Sequence, residues 1–173
     1  GDSAMLSFCQ NKIITTGEGG AIVTDSRDLY EKMKLIRSHG RLETADYFTS
    51  YKSMDYVSLG YNFRLSNILA ALGSAQIKKV DTIIAMRKRI AYTYINSLQG
   101  KSPEIVTLKT PNNYNHVHQL FSIRVQERDQ LIEYLASKGI MSKVYFDPVH
   151  HSYYYRNELK YNVSLPVTER VAE

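Results

Sequence analysis

Tryptophan is absent from the 173-residue chain, and cysteine occurs once, as Cys9. A lone cysteine closes no internal disulfide and cannot make a four-cysteine zinc site, so a reducing cytoplasm is the expected compartment. No apolar run reaches the roughly 18 residues that a membrane-spanning helix needs, so no membrane partner is expected. A leader with basic, apolar and small-residue regions is also missing, so no secretory signal is expected. Glycine (nine) and proline (four) are sparse, while 43% of residues are apolar and 23% charged. That balance excludes a disordered tail, a collagen-like fibre and a coiled coil.

An excess of one charge is small: 22 basic against 17 acidic residues gives +5. The basic residues are spread along the chain, and the densest group, Arg87, Lys88 and Arg89, reads as a solvated helix face. No one-sided cluster exists, so no nucleic-acid partner is expected. Tyrosine is abundant, with 14 residues, and suits half-buried surfaces with its apolar ring and polar tip. The chain begins Gly1-Asp2-Ser3-Ala4 with no initiator methionine, as expected of a processed protein or a piece of a longer one.

Periodicity gives a coarse order of elements. Met5 to Phe8 reads as a strand end, and Ile13 to Thr16 and Ala21 to Thr24 as β-prone runs around a Gly17-Glu18-Gly19-Gly20 turn. Ser26 is positioned to cap a helix through Leu29, Met33 and Ile36 that ends near His39-Gly40. Residues 41–64 have no clean period and read as a long loop. Ser66 caps a long helical stretch that Gly100 stops, with a kink or break along it. Residues 101–115, with Pro103 and Pro111, read as a connection. Alternation over 116–125 predicts a strand, residues 128–138 a helix closed by Gly139, and 140–146 a second strand. The residues from Asp147 read as a tyrosine-rich loop, with a helix beginning only at the end. Strand, helix and strand in succession point to an α/β or α+β unit.

Chemistry enters at Ser7-Phe8-Cys9-Gln10-Asn11-Lys12, followed by Thr15-Thr16-Gly17-Glu18-Gly19-Gly20. A lysine amine just past a strand end can attack an aldehyde, and a serine hydroxyl five residues earlier can hold a phosphate of the same cofactor. The bland alternative is a surface lysine before a tight hairpin. His116 and His118 share a strand face at a spacing compatible with zinc. Adjacent His150 and His151 point apart in an extended chain, and no acidic residue stands at ligand spacing beside either pair. No metal site is expected. Gly17 to Gly20 lacks the Gly-Lys-Ser/Thr of a nucleotide-triphosphate loop. Cys9 reads as a small buried residue, and Tyr153-Tyr154-Tyr155-Arg156 as a dimer or substrate-rim surface rather than a base-stacking one.

The Ser7 to Gly20 run resembles the signature of the DegT/DnrJ/EryC1/StrS family of pyridoxal-phosphate-dependent sugar aminotransferases. Arg37-Ser38-His39-Gly40, then Gly60-Tyr61-Asn62-Phe63-Arg64-Leu65-Ser66-Asn67 with Ala70-Ala71, resemble its next blocks in order. So do Gly139-Ile140 through Pro148-Val149-His150, and Leu165-Pro166-Val167-Thr168-Glu169-Arg170. The resemblance covers nearly the whole chain. It implies an α/β fold: the end of the large domain of a type I, aspartate-aminotransferase-like transferase (1–64, with an interface loop), then a linking helix and a small α+β C-terminal domain (65–173, incomplete at its end).

By that resemblance Lys12 is the catalytic lysine that attaches to pyridoxal 5'-phosphate and then moves protons. Ser7 binds the cofactor phosphate, and Asn62 reaches the phosphate of a neighbouring subunit's cofactor. Arg64 and His150 line the substrate region. The implied partners are a nucleotide-linked keto-sugar, glutamate as amino donor, and a second copy in a homodimer with shared active sites. Polysaccharide or antibiotic-sugar biosynthesis is the implied setting. One departure is Gln119, where relatives often carry histidine. Another is length: the family's phosphate turn, its aspartate for the pyridine nitrogen and its ring-stacking aromatic are expected before Gly1. The alternative is a catalytically inactive truncated domain that serves only packing or dimerisation.

Overall fold

The computed structural model describes residues 1–42 and 55–172. The chain divides into two units. Gly1–Ile90 with Val117–Gln119 form the first, and Ala91–His116 with Leu120–Glu173 the second.

In the first unit, β1 (Ala4–Ser7) and β2 (Gly20–Val23) pair antiparallel, Ala4 opposite Val23 and Ser7 opposite Gly20. The expected tight hairpin at Gly17–Gly20 is therefore a wide one, closed around residues 8–19. Ile13–Thr16 is not a strand, because its polar groups bond to the loop's own residues and to Gln76 instead of along a ladder. Helix α1 (Arg27–Arg37) starts at Ser26, whose hydroxyl accepts the Leu29 N–H. Its exposed face carries an Arg27–Glu31 ion pair one turn apart, and Lys34 approaches Glu31 at 3.7 Å. Such exposed pairs contribute only tenths of a kcal/mol. The helix ends where His39 and Gly40 both take positive φ, 63° and 69°.

The expected loop 41–64 lies outside the described residues from 43 to 54. Its later part runs back along the end of α1, with the Tyr61 N–H on the Ile36 carbonyl and the Phe63 N–H on that of Arg37. Helix α2 (Asn67–Ile77) begins at Ser66, which caps the Leu69 N–H as expected. The long helical stretch breaks at Lys78-Lys79, and α3 (Val80–Leu98) follows.

In the second unit, a short ladder joins β3 (Val106–Thr107) to β4 (Ile123–Arg124), antiparallel. The strand expected over 116–125 is reduced to Ile123–Arg124, and His118, with a left-handed φ of 49°, breaks the extended run before it. Its partner lies in the segment expected to be a connection. Tyr94 stacks on Phe121 at 4.9 Å between ring centres. Helix α4 (Arg128–Ser137) ends at Gly139, φ 75°, as expected.

Residues 140–146 form no strand. Ile140, Met141, Tyr145 and Phe146 are all exposed, and β-propensity takes effect only on a pleated surface that packs against neighbours. A 3-10 turn (Val149–His151) and a π-helical turn (Tyr154–Glu158) interrupt the expected loop, and α5 (Pro166–Ala172) is the helix expected at its end, starting earlier. The Arg128 guanidinium bonds both Asp129 and the Ala172 carbonyl, tying the start of α4 to the end of α5.

Little apolar surface is buried. Ala91 is the buried hydrophobic residue among those described, while Met5, Leu59, Phe63 and Ile68 are exposed by two thirds or more. No helix among the described residues is long and apolar enough to cross a membrane.

Candidate active site

The loop between β1 and β2 is locked by its own residues. The Phe8 N–H donates to the Gly19 carbonyl at 2.9 Å, and the Phe8 carbonyl accepts both the Thr16 N–H and the Thr15 hydroxyl at 3.0 Å. The Thr15 hydroxyl accepts the Gly17 N–H at 2.8 Å, and the buried Thr16 hydroxyl donates to the Glu18 carbonyl at 2.7 Å. Two threonines thus satisfy the backbone groups that a wide loop would otherwise leave open.

Gly19 and Gly20 leave no room for side chains, while Gly17 has open space and a left-handed φ of 84°. A Cβ on Gly20 would stand 2.7 Å from the Leu6 carbonyl oxygen, and one on Gly19, where φ is 137°, would stand 2.8 Å from Leu65 Cδ1. The Thr-Thr-Gly-Glu-Gly-Gly run is therefore the locking device of the loop. Leu65 packing on Gly19 also brings the 62–66 segment against it.

Lys12 sits on this loop, half-buried, with its backbone N–H on the Cys9 carbonyl at 3.0 Å. Ser7, half-buried at the end of β1, accepts the Cys9 N–H at 3.4 Å. Cys9 thus links the two expected cofactor residues through its backbone. Its thiol lies 3.8 Å from the Glu18 carboxylate. The Ser7 hydroxyl keeps its own proton for an anionic oxygen, and the Lys12 amine ends a flexible stem, so the pair suits a phosphorylated aldehyde.

Two supports were not visible in the sequence. The Gln76 side-chain carbonyl accepts the Thr15 N–H at 3.0 Å, anchoring the loop to α2. Gly73, on the same helix, lies against the Thr16 methyl, where a Cβ would come within 3.0 Å. Gln76→Ala is expected to cost about 1–2 kcal/mol, since it strands a part-buried N–H. Denaturant unfolding read against Gln76→Glu, which keeps an acceptor, checks it.

Asn62 and Arg64 lie on the segment that follows α1 backwards. The His39 N–H donates to the Tyr61 carbonyl at 2.9 Å, and Ser38 bridges Asn62. The Arg37–Gly40 and Gly60–Asn67 blocks, separate in sequence, are thus one backbone-bonded structure. Arg64 Nε donates to the Asn62 side-chain carbonyl at 3.3 Å, and both side chains are exposed. Ser7, Lys12, Asn62 and Arg64 belong to the first unit and His150 to the second.

His150 is buried at 8% exposure, and its Nε2–H donates to Glu169 Oε1 at 3.0 Å. The same oxygen accepts the Leu165 N–H at 2.7 Å, and Ser164 Oγ approaches Oε2 at 3.4 Å. The Leu165 backbone bond, then the His150 bond, hold the Glu169 carboxyl below the usual carboxylate range. Glu169 is the acidic partner that spacing did not reveal, since it meets the histidines from 18 and 19 residues away. The Gln119 backbone carbonyl accepts from Arg87 Nη1 at 2.9 Å. Arg87 is half-buried and is not the purely solvated cation expected.

Known proteins resemble this chain along its length. The family model of the DegT/DnrJ/EryC1/StrS aminotransferases matches residues 1–173. GDP-perosamine synthase of Caulobacter vibrioides is 37% identical over 155 residues, 87% of this chain and 40% of that protein. Helicobacter pylori PseC, an aminotransferase involved in the biosynthesis of pseudoaminic acid, superposes with a TM-score of 0.85 at 31% identity, covering 99% of this chain and 45% of that one. A Streptococcus pneumoniae relative, 25% identical with a TM-score of 0.79 over 91% of this chain and 41% of its own, has been solved in a PLP-form and a PMP-form. The chain spans about two fifths of the length of the curated relatives it matches. Its fold is that of the corresponding part of a type I aminotransferase. By its match from first residue to last, the chain belongs to the DegT/DnrJ/EryC1/StrS aminotransferase family.

Proposed function

We propose that the chain provides the lysine-bearing part of a pyridoxal-phosphate-dependent aminotransferase, which moves an amino group from glutamate to a nucleotide-linked keto-sugar for polysaccharide or antibiotic-sugar biosynthesis. The observation that carries this is the self-locked 7–19 loop, which holds Lys12 and Ser7 on the two sides of Cys9. The cofactor, when bound, supplies the electron sink that lets a carbon–hydrogen bond next to nitrogen be broken.

The chain's own residues do the rest. Lys12 Nζ holds the cofactor covalently at rest. Once freed, the amine takes the proton from the donor's α-carbon and returns one to the carbon being aminated, as a positioned general acid and base. Ser7 donates its hydroxyl proton to the cofactor phosphate. Asn62 reaches the phosphate of a second subunit's cofactor, and Arg64 and His150 serve the substrate region. Residues 1–64 then form the end of the large domain, and 65–173 the linking helix and small domain. The working form is a cytoplasmic homodimer. The exposed apolar residues Met5, Leu59, Phe63 and Ile68 offer surface that a second copy would cover.

Full-length protein incubated with the cofactor, glutamate and a panel of nucleotide-linked 4-keto-sugars tests this. The expected result is 2-oxoglutarate together with an aminated sugar nucleotide of matching mass. Turnover of none of the panel, with cofactor bound, would move the reading to another acceptor class; no cofactor binding would end it.

A further inference from the structure

The proposed amino transfer gives no role to His151 or to Glu169, which gather with His150 at the 3-10 turn. A ring nitrogen of His150, one of His151 and a carboxylate oxygen of Glu169 all lie within 4.8 Å of one another. His150 Nε2 is 3.0 Å and His151 Nε2 3.7 Å from the same oxygen, Glu169 Oε1. Adjacent histidines in an extended strand point to opposite faces. The 3-10 turn overrides this and brings the two rings to 4.2 Å between centres, tilted by 59°.

Two ligands at about 2.0–2.1 Å from one tetrahedral zinc ion stand about 3.3 Å apart. The separations from Glu169 Oε1, 3.0 and 3.7 Å, fall on either side of that value, and the two nitrogens, within 4.8 Å of each other, close toward it on binding. The carboxylate is already oriented from outside by the Leu165 N–H and Ser164 Oγ, the kind of outer contact that fixes metal ligands. Burial differs usefully across the set: His150 is buried, Glu169 intermediate and His151 at the edge, so an ion has an approach from solvent. Two imidazoles and one carboxylate favour zinc or a neighbouring transition metal over magnesium or calcium.

We propose that His150, His151 and Glu169 bind one divalent transition-metal ion, zinc foremost, which ties the 149–151 turn to the start of α5. Three protein ligands leave a further position for water or a small anion.

Full-length protein stripped with chelator, then titrated with zinc and desalted, tests it by metal content per chain. The wild type is expected to retain one zinc that His151→Ala loses, with affinity down about tenfold or more. Glu169→Gln keeps an acceptor for the Leu165 N–H yet loses the anionic ligand, and should lose the zinc as well. Cobalt should give the wild type a visible ligand-field band that both variants lack. Far-UV circular dichroism of each variant checks that it is folded. Equal zinc retention by folded wild type and His151→Ala, or retention by neither, would overturn the proposal and leave a metal-free hydrogen-bonded clamp.

Discussion

Lys12→Ala is expected to abolish measurable amino transfer, a fall of about 10³-fold or more, because the variant lacks the amine that moves the proton. Lys12→Arg should be equally inactive. It keeps the positive charge but remains protonated and neither attacks an aldehyde nor exchanges protons near neutral pH. This separates chemistry from electrostatics: a lysine that merely attracted a phosphate would be replaced well by arginine. Neither variant should disturb the fold. The bond that Lys12 makes inside the loop is from its backbone N–H to the Cys9 carbonyl, which any residue other than proline retains. Unfolding free energies within about 0.5 kcal/mol of wild type are expected for both. Steady-state assays beside thermal melts read the two effects apart.

Gly60→Ala is expected to lose about 3 kcal/mol or more of stability. A Cβ there would lie 2.0 Å from the Gly40 nitrogen, 2.5 Å from the His39 carbonyl carbon and 2.8 Å from the Leu35 carbonyl oxygen. All three are backbone atoms of the α1 terminus, so no side chain can swing away. The strand of bonds that holds Tyr61, Asn62 and Phe63 against α1 would have to part. Gly100→Ala is the control. Gly100 has φ of 70° but nothing within 4 Å of a Cβ, so only the left-handed backbone strain of about 1–2 kcal/mol is lost. Equal losses at the two positions would contradict the close approach of Gly60 to Gly40. Gly60→Ala should also weaken cofactor retention in the assembled protein, since the displaced segment carries Asn62.

Local signals in the sequence were dependable where a local cause decides the outcome. Ser26 and Ser66 cap helices because a hydroxyl before a helix satisfies an orphan N–H whatever the surroundings. His39-Gly40 and Gly139 end helices in left-handed conformations. Strands were legible only where a partner exists. The apolar runs 13–16 and 140–146 have the composition of strands but no ladder, and 116–125 keeps only Ile123–Arg124 because His118 turns the chain.

The Lys12 motif was legible as a string of residue types, and the reason for its threonines and glycines became visible only once their bonds and close contacts were placed. Gln76 and Glu169 could not have been found by spacing. They meet Thr15 and His150 across 61 and 19 residues, through tertiary approach alone. Arg87 was masked by Lys88 and Arg89 beside it, which made the run look like an ordinary solvated face.

The central claim is that Lys12 is the attachment point of the cofactor. The most direct measurement is to load full-length protein with pyridoxal phosphate, reduce with borohydride, digest, and map the modified lysine by mass spectrometry. One label per chain, on Lys12, is predicted. Label at a different single lysine, or scattered over surface lysines with Lys12 unmodified, would contradict the account.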